Sequence, residues 1–393
     1  MSIINLGTYP PKQCGIAHFS SDLRCSLENH QQVLVAAVSD QEYKYKYGSE
    51  VVININQQIR QDYLRAANYI NKAHNIDLVI IQHEYGIYGG VDGDYILDFV
   101  KALHKPYIVI THTVLPRPFE HQKNILQTLC RYSSAVVCMT KNSAQLLQEI
   151  YGIQKQKINI IGHGVPEFKP QQASFLKQKY NLSDKQVIST FGLIGPGKGL
   201  ELGIEAIGKL TAEYKDIIFL ILGQTHPMLQ KQEGERYREM LIAKVKELNI
   251  EEQVSFVNHH LTDEELGEYL YLTDIYLSPY PNMEQAVSGT LTFAVGCGRA
   301  IVSTPYAHAR ELLADNRGLL SAGPDPEQLA TLMRSILVDP ELKETLQRNA
   351  YSIGKSMTWP QTGARYDSLI RDLLQDYNEE GEKVNYAGLQ ALN

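Results

Sequence analysis

The chain has no excess of basic charge. Lys and Arg number 37 against 44 Asp and Glu, a net charge of −7 over 393 residues. That argues against the basic face on which nucleic-acid binders rely. Cysteine is sparse and odd in number: Cys14, Cys25, Cys130, Cys138 and Cys297, with no Cys-x-x-Cys pair. A disulfide framework and a structural zinc site are disfavoured, and a reducing compartment is expected. No apolar run approaches the roughly 18 residues that a membrane span needs. The opening residues, MSIINLGTYPPKQCG, have no basic segment leading into a long apolar one, so no signal peptide is read. The expected location is the cytoplasm. Repeats of solenoid period and low-complexity tracts are also lacking.

What is present is ordinary for a globular protein: 44% apolar and 21% charged residues. At about 100–200 residues per domain, the length suggests two domains. Short apolar runs alternate with helical patterns. Ile3–Leu6, Val33–Val38, Leu78–Gln82, Tyr107–Thr111, Ala135–Met139 and Ile158–Ile161 read as strands. Between them, 59–73 and 95–103 carry apolar residues at spacings of three and four. The alternation then restarts with Val187–Phe191, Ile217–Leu222, Val254–Val257, Ile275–Ser278, Ala300–Ser303 and Gly318–Leu320. Two such series predict two Rossmann-like, doubly wound parallel-sheet α/β domains. We place them at 1–165 and 185–356. The polar, proline-containing stretch 163–184 reads as the boundary. A terminal helix over 361–377 and a polar tail complete a third segment, 357–393.

In parallel sheets, ligands bind beyond the carboxyl ends of the strands. The loop after the first strand, GTYPPKQCGIA, brings Gly15 to a helix start, where free N–H groups favour anions. The third main strand ends in QHEYGIYGG and the fourth in THTVLP. His83 and His112 therefore stand at equivalent ends of neighbouring strands, with Glu84, Tyr85 and Tyr88 close behind. No third ligand with usable spacing makes them a metal pair. In the second series FGLIGPGKGL sets Gly192, Gly197 and Lys198 between strand and helix. This is a reasonable phosphate cradle, but neither a Walker loop nor Gly-x-Gly-x-x-Gly. Gln224 and His226 follow the next strand. Ser288, Gly289 and Thr290 open a helix with free N–H groups and hydroxyls. The Asp92-x-Asp94 pair reads as helix capping.

Taken in order, TYPPKQCGIAHF, QHEYGIYGG, THTVLP, IIGHGVP, FGLIGPGKGLELGIEAI, LGQTHP, LSPY, SGTLTFAVGCGRAIVSTPY and RELLADNRGLL resemble glycosyltransferase family 4 over about residues 3–377. The resemblance implies the GT-B fold: two Rossmann-like domains facing a cleft, with the C-terminal helix crossing back onto the first. It implies transfer of a hexose, mannose or glucose, from a GDP-, UDP- or ADP-linked sugar to a carbohydrate or glycolipid acceptor, with retention of configuration. His112 would lie beside the donor sugar. Lys198 would neutralise the pyrophosphate, with Gly15, Gly192, Gly197, Gln224, His226, Ser288, Gly289 and Thr290 around the donor. The first domain would take the acceptor, at His83, Glu84, Tyr85 and Tyr88. No cofactor and no metal is expected, because the lysine and the helix ends do the neutralising. Weak or no membrane association is expected from the helix 120–132, which is poor in cations.

Two departures stand out. The family places an Arg shortly before the Lys; here the stretch is Gly192-Leu193-Ile194-Gly195-Pro196. The family also has Glu-x7-Glu before the Cys-Gly turn; here those positions hold Gln285 and Phe293, with Glu284 one residue off. A shift of one residue would give Glu284 the first carboxylate's role. A phosphorylase on the same scaffold and a non-catalytic sugar- or partner-binding relative are the rival readings.

Overall fold

The computed structural model describes residues 1–40 and 44–390. They form two compact units: Met1–Gly164 together with the chain from Trp359, and Val165–Thr358.

The first unit is built on β1 (Ser2–Gly7), β2 (Gln32–Ser39), β3 (Val51–Asn56), β4 (Leu78–His83), β5 (Tyr107–Thr111), β6 (Ala135–Cys138) and β7 (Ile158–Ile160). The order is β3-β2-β1-β4-β5-β6-β7, and every pairing is parallel. The strand order reverses between β1 and β4, which opens a crevice at their carboxyl ends. Residues Leu78–His83 are all buried, as a sheet covered on both faces requires. The helix Trp359–Gln390 belongs to this unit. Trp359 packs its ring 5.2 Å from that of Phe19. Gly164 has no room for a Cβ, which would stand 2.2 Å from the Trp359 indole. This helix starts two residues before the predicted 361 and continues through much of the predicted tail; positions 391–393 lie outside the described residues.

The second unit has β8 (Gln186–Phe191), β9 (Ile217–Leu222), β10 (Val254–Val257), β11 (Ile275–Ser278), β12 (Ala300–Ser303) and β13 (Leu319–Leu320). The order is β10-β9-β8-β11-β12-β13, again parallel throughout. Successive residues serve opposite faces. Ile188, Phe219, Ile221, Ile275, Leu277 and Val302 join one core; Val187, Leu220, Leu222, Tyr276 and Ile301 join the other. Each fully buried side chain of this kind contributes roughly 1.5–3 kcal/mol. The reversal lies between β8 and β11.

The division between the units, Gly164 to Val165, falls inside the stretch 163–184, and the stretch from Val165 on belongs to the second unit. It contains a helix, Ala173–Lys179, whose Leu176 is wholly buried. Lys177 Nζ donates to Asp274 Oδ2 at 2.6 Å, and Lys179 Nζ to Glu268 Oε2 at 2.6 Å. Much of the stretch is exposed, and these ion pairs with Leu176 hold its helix to the second unit. Among the described residues no helix is long and apolar enough to cross a membrane.

Candidate functional site

At the carboxyl ends of β8, β9 and β11 the second unit gathers one polar cluster. Gly192 and Gly223 both have φ of 127°, a region closed to most side chains. A Cβ on Gly223 would lie 2.3 Å from Gly192 O, so the two strand ends pass at backbone distance. A Cβ on Gly192 would stand 3.2 Å from Lys198 Nζ and 3.3 Å from Thr290 Cγ2. Bare backbone thus faces the ammonium and the start of the helix Gly289–Gly296. A Cβ on Gly197 would meet nothing within 4 Å.

Lys198 closes a 3-10 turn, Pro196–Lys198, and Gly199 begins the helix Leu200–Leu210 from a left-handed φ of 62°. Lys198 Nζ donates to the Tyr280 hydroxyl at 2.6 Å and lies 4.8 Å from its ring centroid. The same hydroxyl stands 3.1 Å from Thr290 Oγ1 and accepts from Ser288 Oγ at 3.3 Å. Burial pushes the Tyr280 phenol up. The Lys198 charge and the hydrogen bonds from Lys198, Ser288 and Thr290 outweigh burial and hold it below its ordinary value. Ser288 also caps its helix, its Oγ accepting from Leu291 N at 3.2 Å. The Ser288 amide donates to His308 Nδ1 at 2.9 Å.

Gln224 and His226 continue the cluster. The Gln224 carbonyl accepts from Ile194 N at 2.8 Å, and the His226 amide donates to Ile194 O at 2.9 Å. Burial and the neighbouring Lys198 charge lower the His226 imidazole. Its Nδ1 accepts from Met228 N at 3.2 Å.

In the first unit His83 and His112 stand side by side, the His112 amide donating to His83 O at 3.0 Å. His112 Nε2 is 2.8 Å from Gln82 Oε1, and its ring meets Phe19 edge-on at 4.7 Å. Burial, helped by His163 and His83, lowers His112 to about 3. Burial lowers His83 and His163 to about 4 each. Glu84 accepts from Thr113 Oγ1 at 2.6 Å and from Tyr85 N at 3.0 Å. Burial outweighs those bonds and raises its carboxyl. The Tyr85 hydroxyl reaches Gln122 O at 3.4 Å. Tyr88 does not join them. It is buried, and its hydroxyl donates to the Gln82 carbonyl at 2.6 Å. Gly15 begins the helix Gly15–Leu27, with Cys14 Sγ accepting from Ala17 N at 3.3 Å and open space where a Cβ would stand.

The acidic pair Asp92 and Asp94 does not cap a helix. Asp92 takes a left-handed φ of 51° and accepts from Gln122 Nε2 at 3.2 Å. His121 lies 3.3 Å from Asp92 and 3.6 Å from Asp94. The pair contacts the start of the helix Glu120–Tyr132. Among the described residues no three His, Cys, Asp or Glu side chains are placed to hold a metal ion.

The profile described as "Glycosyl transferases group 1" matches residues 172–353, and that described as "Glycosyltransferase Family 4" matches residues 28–167. The chain belongs with the family 4-like glycosyltransferases. It is similar to the D-inositol 3-phosphate glycosyltransferase of Corynebacterium glutamicum, 26% identical over half of this chain (50%) and 46% of the relative. It is also similar to the GDP-mannose-dependent alpha-(1-6)-phosphatidylinositol monomannoside mannosyltransferase of Mycolicibacterium smegmatis, 23% identical over 51% of this chain and 52% of the relative. The matched region thus spans about half the length of these curated relatives. The solved structure of Anabaena Alr3699/HepE in complex with UDP superposes with a TM-score of 0.75 at 17% identity, covering 95% of this chain and 100% of that one. The fold is GT-B.

For a family 4-like transferase, the second half of this site is unusual. Phe293, which the resemblance sets at the second carboxylate's position, packs its ring against Phe168 and Phe191 at 5.8 and 6.0 Å. Glu284 stays on an exposed turn, and its amide donates to Asn282 Oδ1 at 3.0 Å. The Gln285 side chain donates to Val287 O at 2.8 Å, and its carbonyl accepts from the His308 amide at 3.2 Å. Sequence reasoning passed over Tyr280, His308 and Arg238. Tyr280 could have been found, because it lies two residues beyond the end of β11. Arg238 is 4% exposed and donates through Nη2 to Gly223 O at 2.9 Å. A polar cavity of about 350 Å³ at the carboxyl ends of β2 and β3, lined by Ser39, Asp40, Lys44, Tyr45, Asn54, Asn56 and Asp62, was not foreseen either.

Proposed function

We propose that this protein transfers a hexose from a nucleotide-diphosphate sugar to a carbohydrate or lipid-linked acceptor, with retention of configuration and without a metal. The second unit takes the donor, and the first takes the acceptor. The observation that carries this reading is the cluster around Lys198, Tyr280, Ser288 and Thr290, at the topological reversal of its sheet. It offers one fixed cation, hydroxyl donors and the unpaired first-turn N–H groups of Gly289 and Thr290.

In the reaction the bond from the sugar's anomeric carbon to the diphosphate oxygen breaks, and the bond to the acceptor oxygen forms. Negative charge grows on the leaving diphosphate, which takes the acceptor's proton. Lys198 and the helix start at Gly289 stabilise that charge. One preorganised donor of this kind lowers a barrier by about 3–4 kcal/mol. Fixing the acceptor hydroxyl against the anomeric carbon supplies a further share. Mannose and glucose are both compatible donors' sugars. Among relatives, one is named for GDP-mannose and one solved neighbour holds UDP.

The test is calorimetric titration of the purified chain with GDP, UDP and ADP, followed by a transfer assay with the sugar nucleotide of whichever binds. Preference for one nucleotide, with sugar released only when an acceptor is present, is the expected result. Binding without turnover would make the chain a non-catalytic relative. Absence of nucleotide binding, together with turnover of a sugar with inorganic phosphate, would make it a phosphorylase.

A further inference from the structure

Two buried amide side chains, Asn5 of β1 and Gln82 of β4, form a relay that ends at His112. Asn5 is 1% exposed and Gln82 is 0% exposed. Asn5 Nδ2 donates to the backbone carbonyl of Ser20 at 3.0 Å. Gln82 Nε2 donates to Asn5 Oδ1 at 2.9 Å. Gln82 Oε1 is then 2.8 Å from His112 Nε2.

The direction of this chain is fixed at its far end. A backbone carbonyl can only accept, so the Asn5 atom facing Ser20 O is the amide nitrogen. The other end of Asn5 is therefore its oxygen, which needs a donor. That forces the Gln82 amide nitrogen towards Asn5 and the Gln82 oxygen towards His112. An amide oxygen also only accepts, so His112 Nε2 carries the proton. In the neutral ring, Nδ1 is left as an acceptor. Flipping Asn5 would set like atoms face to face at both of its contacts, and flipping Gln82 would set its oxygen against the Asn5 oxygen, so each costs at least one buried hydrogen bond. Room for the relay comes from Gly7, where a Cβ would lie 2.8 Å from the Gln82 side chain.

We propose that Asn5 and Gln82 are positioning residues that lock His112 as the Nε2–H tautomer, so that its Nδ1 recognises a sugar hydroxyl by accepting a hydrogen bond from it. The assignment of that hydroxyl to the hexose donor rests on the reading above; the tautomer does not. His112 so held cannot give a proton through Nδ1, which separates it from a general acid. A hydroxyl inverted or removed at the contacted sugar position loses an acceptor made for it.

The experiment is nitrogen NMR of the full chain labelled with 15N-histidine, with His112 assigned by its loss in His112→Asn. The expected wild-type spectrum has a protonated Nε2 and an unprotonated Nδ1 that do not titrate between pH 5 and 8. In Asn5→Ala the Gln82 amide is free to flip, and His112 should show both tautomers. In Gln82→Glu, whose carboxylate can only accept, the Nε2–H form should persist. In the transfer assay, Asn5→Ala should raise the donor KM about five-fold, the worth of one neutral hydrogen bond, with kcat less affected. A protonated Nδ1 in the wild type, or an unchanged tautomer in Asn5→Ala, overturns the proposal. If no sugar nucleotide is turned over at all, the reading of function fails while the spectrum still decides the relay.

Discussion

Lys198 rests its ammonium on the Tyr280 hydroxyl, 2.6 Å away and 82 residues distant in sequence. The phenol is a hub, because Ser288 and Thr290 turn their hydroxyls to the same oxygen. Replacing Tyr280 by Phe keeps the ring and the cation–π contact but removes the oxygen. Three polar groups then lose a partner in a buried site. The expected cost is about 1–3 kcal/mol of stability, the penalty for unsatisfied buried groups. Urea unfolding of Tyr280→Phe against wild type measures it. No loss of stability would mean that water or another group already satisfies the cluster.

Lys198 has a different assignment, and its variants should separate charge from shape. Lys198→Ala should weaken nucleoside-diphosphate binding about 10- to 100-fold, the range for a charge-assisted hydrogen bond. Lys198→Arg keeps the charge but spreads it over a planar fork, and should recover part of that loss. Calorimetry at two salt concentrations checks both variants. The alanine variant should also show the weaker salt dependence, because one ionic contact is gone. Equal affinity in all three proteins would remove Lys198 from the phosphate site.

Three histidines, His83 and His112 buried and His163 half-buried, give stability a defined pH response. His112 is lowered to about 3 and His83 and His163 to about 4, chiefly by burial, from an ordinary value of 6.5. The unfolded chain therefore binds more protons than the folded one between about pH 6.5 and 4. Stability is fully present above pH 6.5 and is lost as pH falls through that window. Each histidine contributes a slope of up to about 1.4 kcal/mol per pH unit. Urea midpoints between pH 4.5 and 7.5 should fall on the acid side, and His163→Gln should flatten the slope by about one histidine's share. A pH-independent midpoint over that range would contradict the neutral state of these rings.

Much of this was legible in the sequence, for identifiable reasons. The strands that were read are short apolar runs in a sheet covered on both faces, and a buried parallel strand has that signature. The strand Val51–Asn56 was missed because it lies at the sheet edge and alternates, with Val52 and Asn54 exposed. The strand-end rule located Lys198, Ser288 and His112, since it needs only sequence order. Tyr280 against Lys198 and Arg238 against Gly223 depend on tertiary contact, which no local pattern encodes. Asn5 and Gln82 did leave a trace: each is a polar residue inside a largely apolar strand. A buried amide needs partners, and that need was the readable hint. The stretch 163–184 does contain the division at Gly164, but the ion pairs of Lys177 and Lys179 with Asp274 and Glu268 depend on tertiary contact and could not be read.

Two glycines in the phosphate-cradle loop allow the donor site to be tested without touching a charged group. At Gly192 the backbone itself requires glycine, with φ at 127° and Lys198 and Thr290 close by. Gly192→Ala should therefore cost about 1–3 kcal/mol of stability through backbone strain and disturb Lys198 as well. Gly197 differs, because a methyl there meets nothing within 4 Å. Gly197→Ala should leave stability within about 0.5 kcal/mol of wild type. If a diphosphate approaches this loop along its backbone, that methyl occupies the approach, and nucleotide affinity should fall about ten-fold, some 1.4 kcal/mol. The pair separates two explanations that a single variant would confound. Weakened binding in Gly197→Ala with an unchanged unfolding midpoint locates the phosphate at the loop. Full binding in Gly197→Ala, with loss only in Gly192→Ala, would place the phosphate away from residue 197 and leave the loop a purely structural turn.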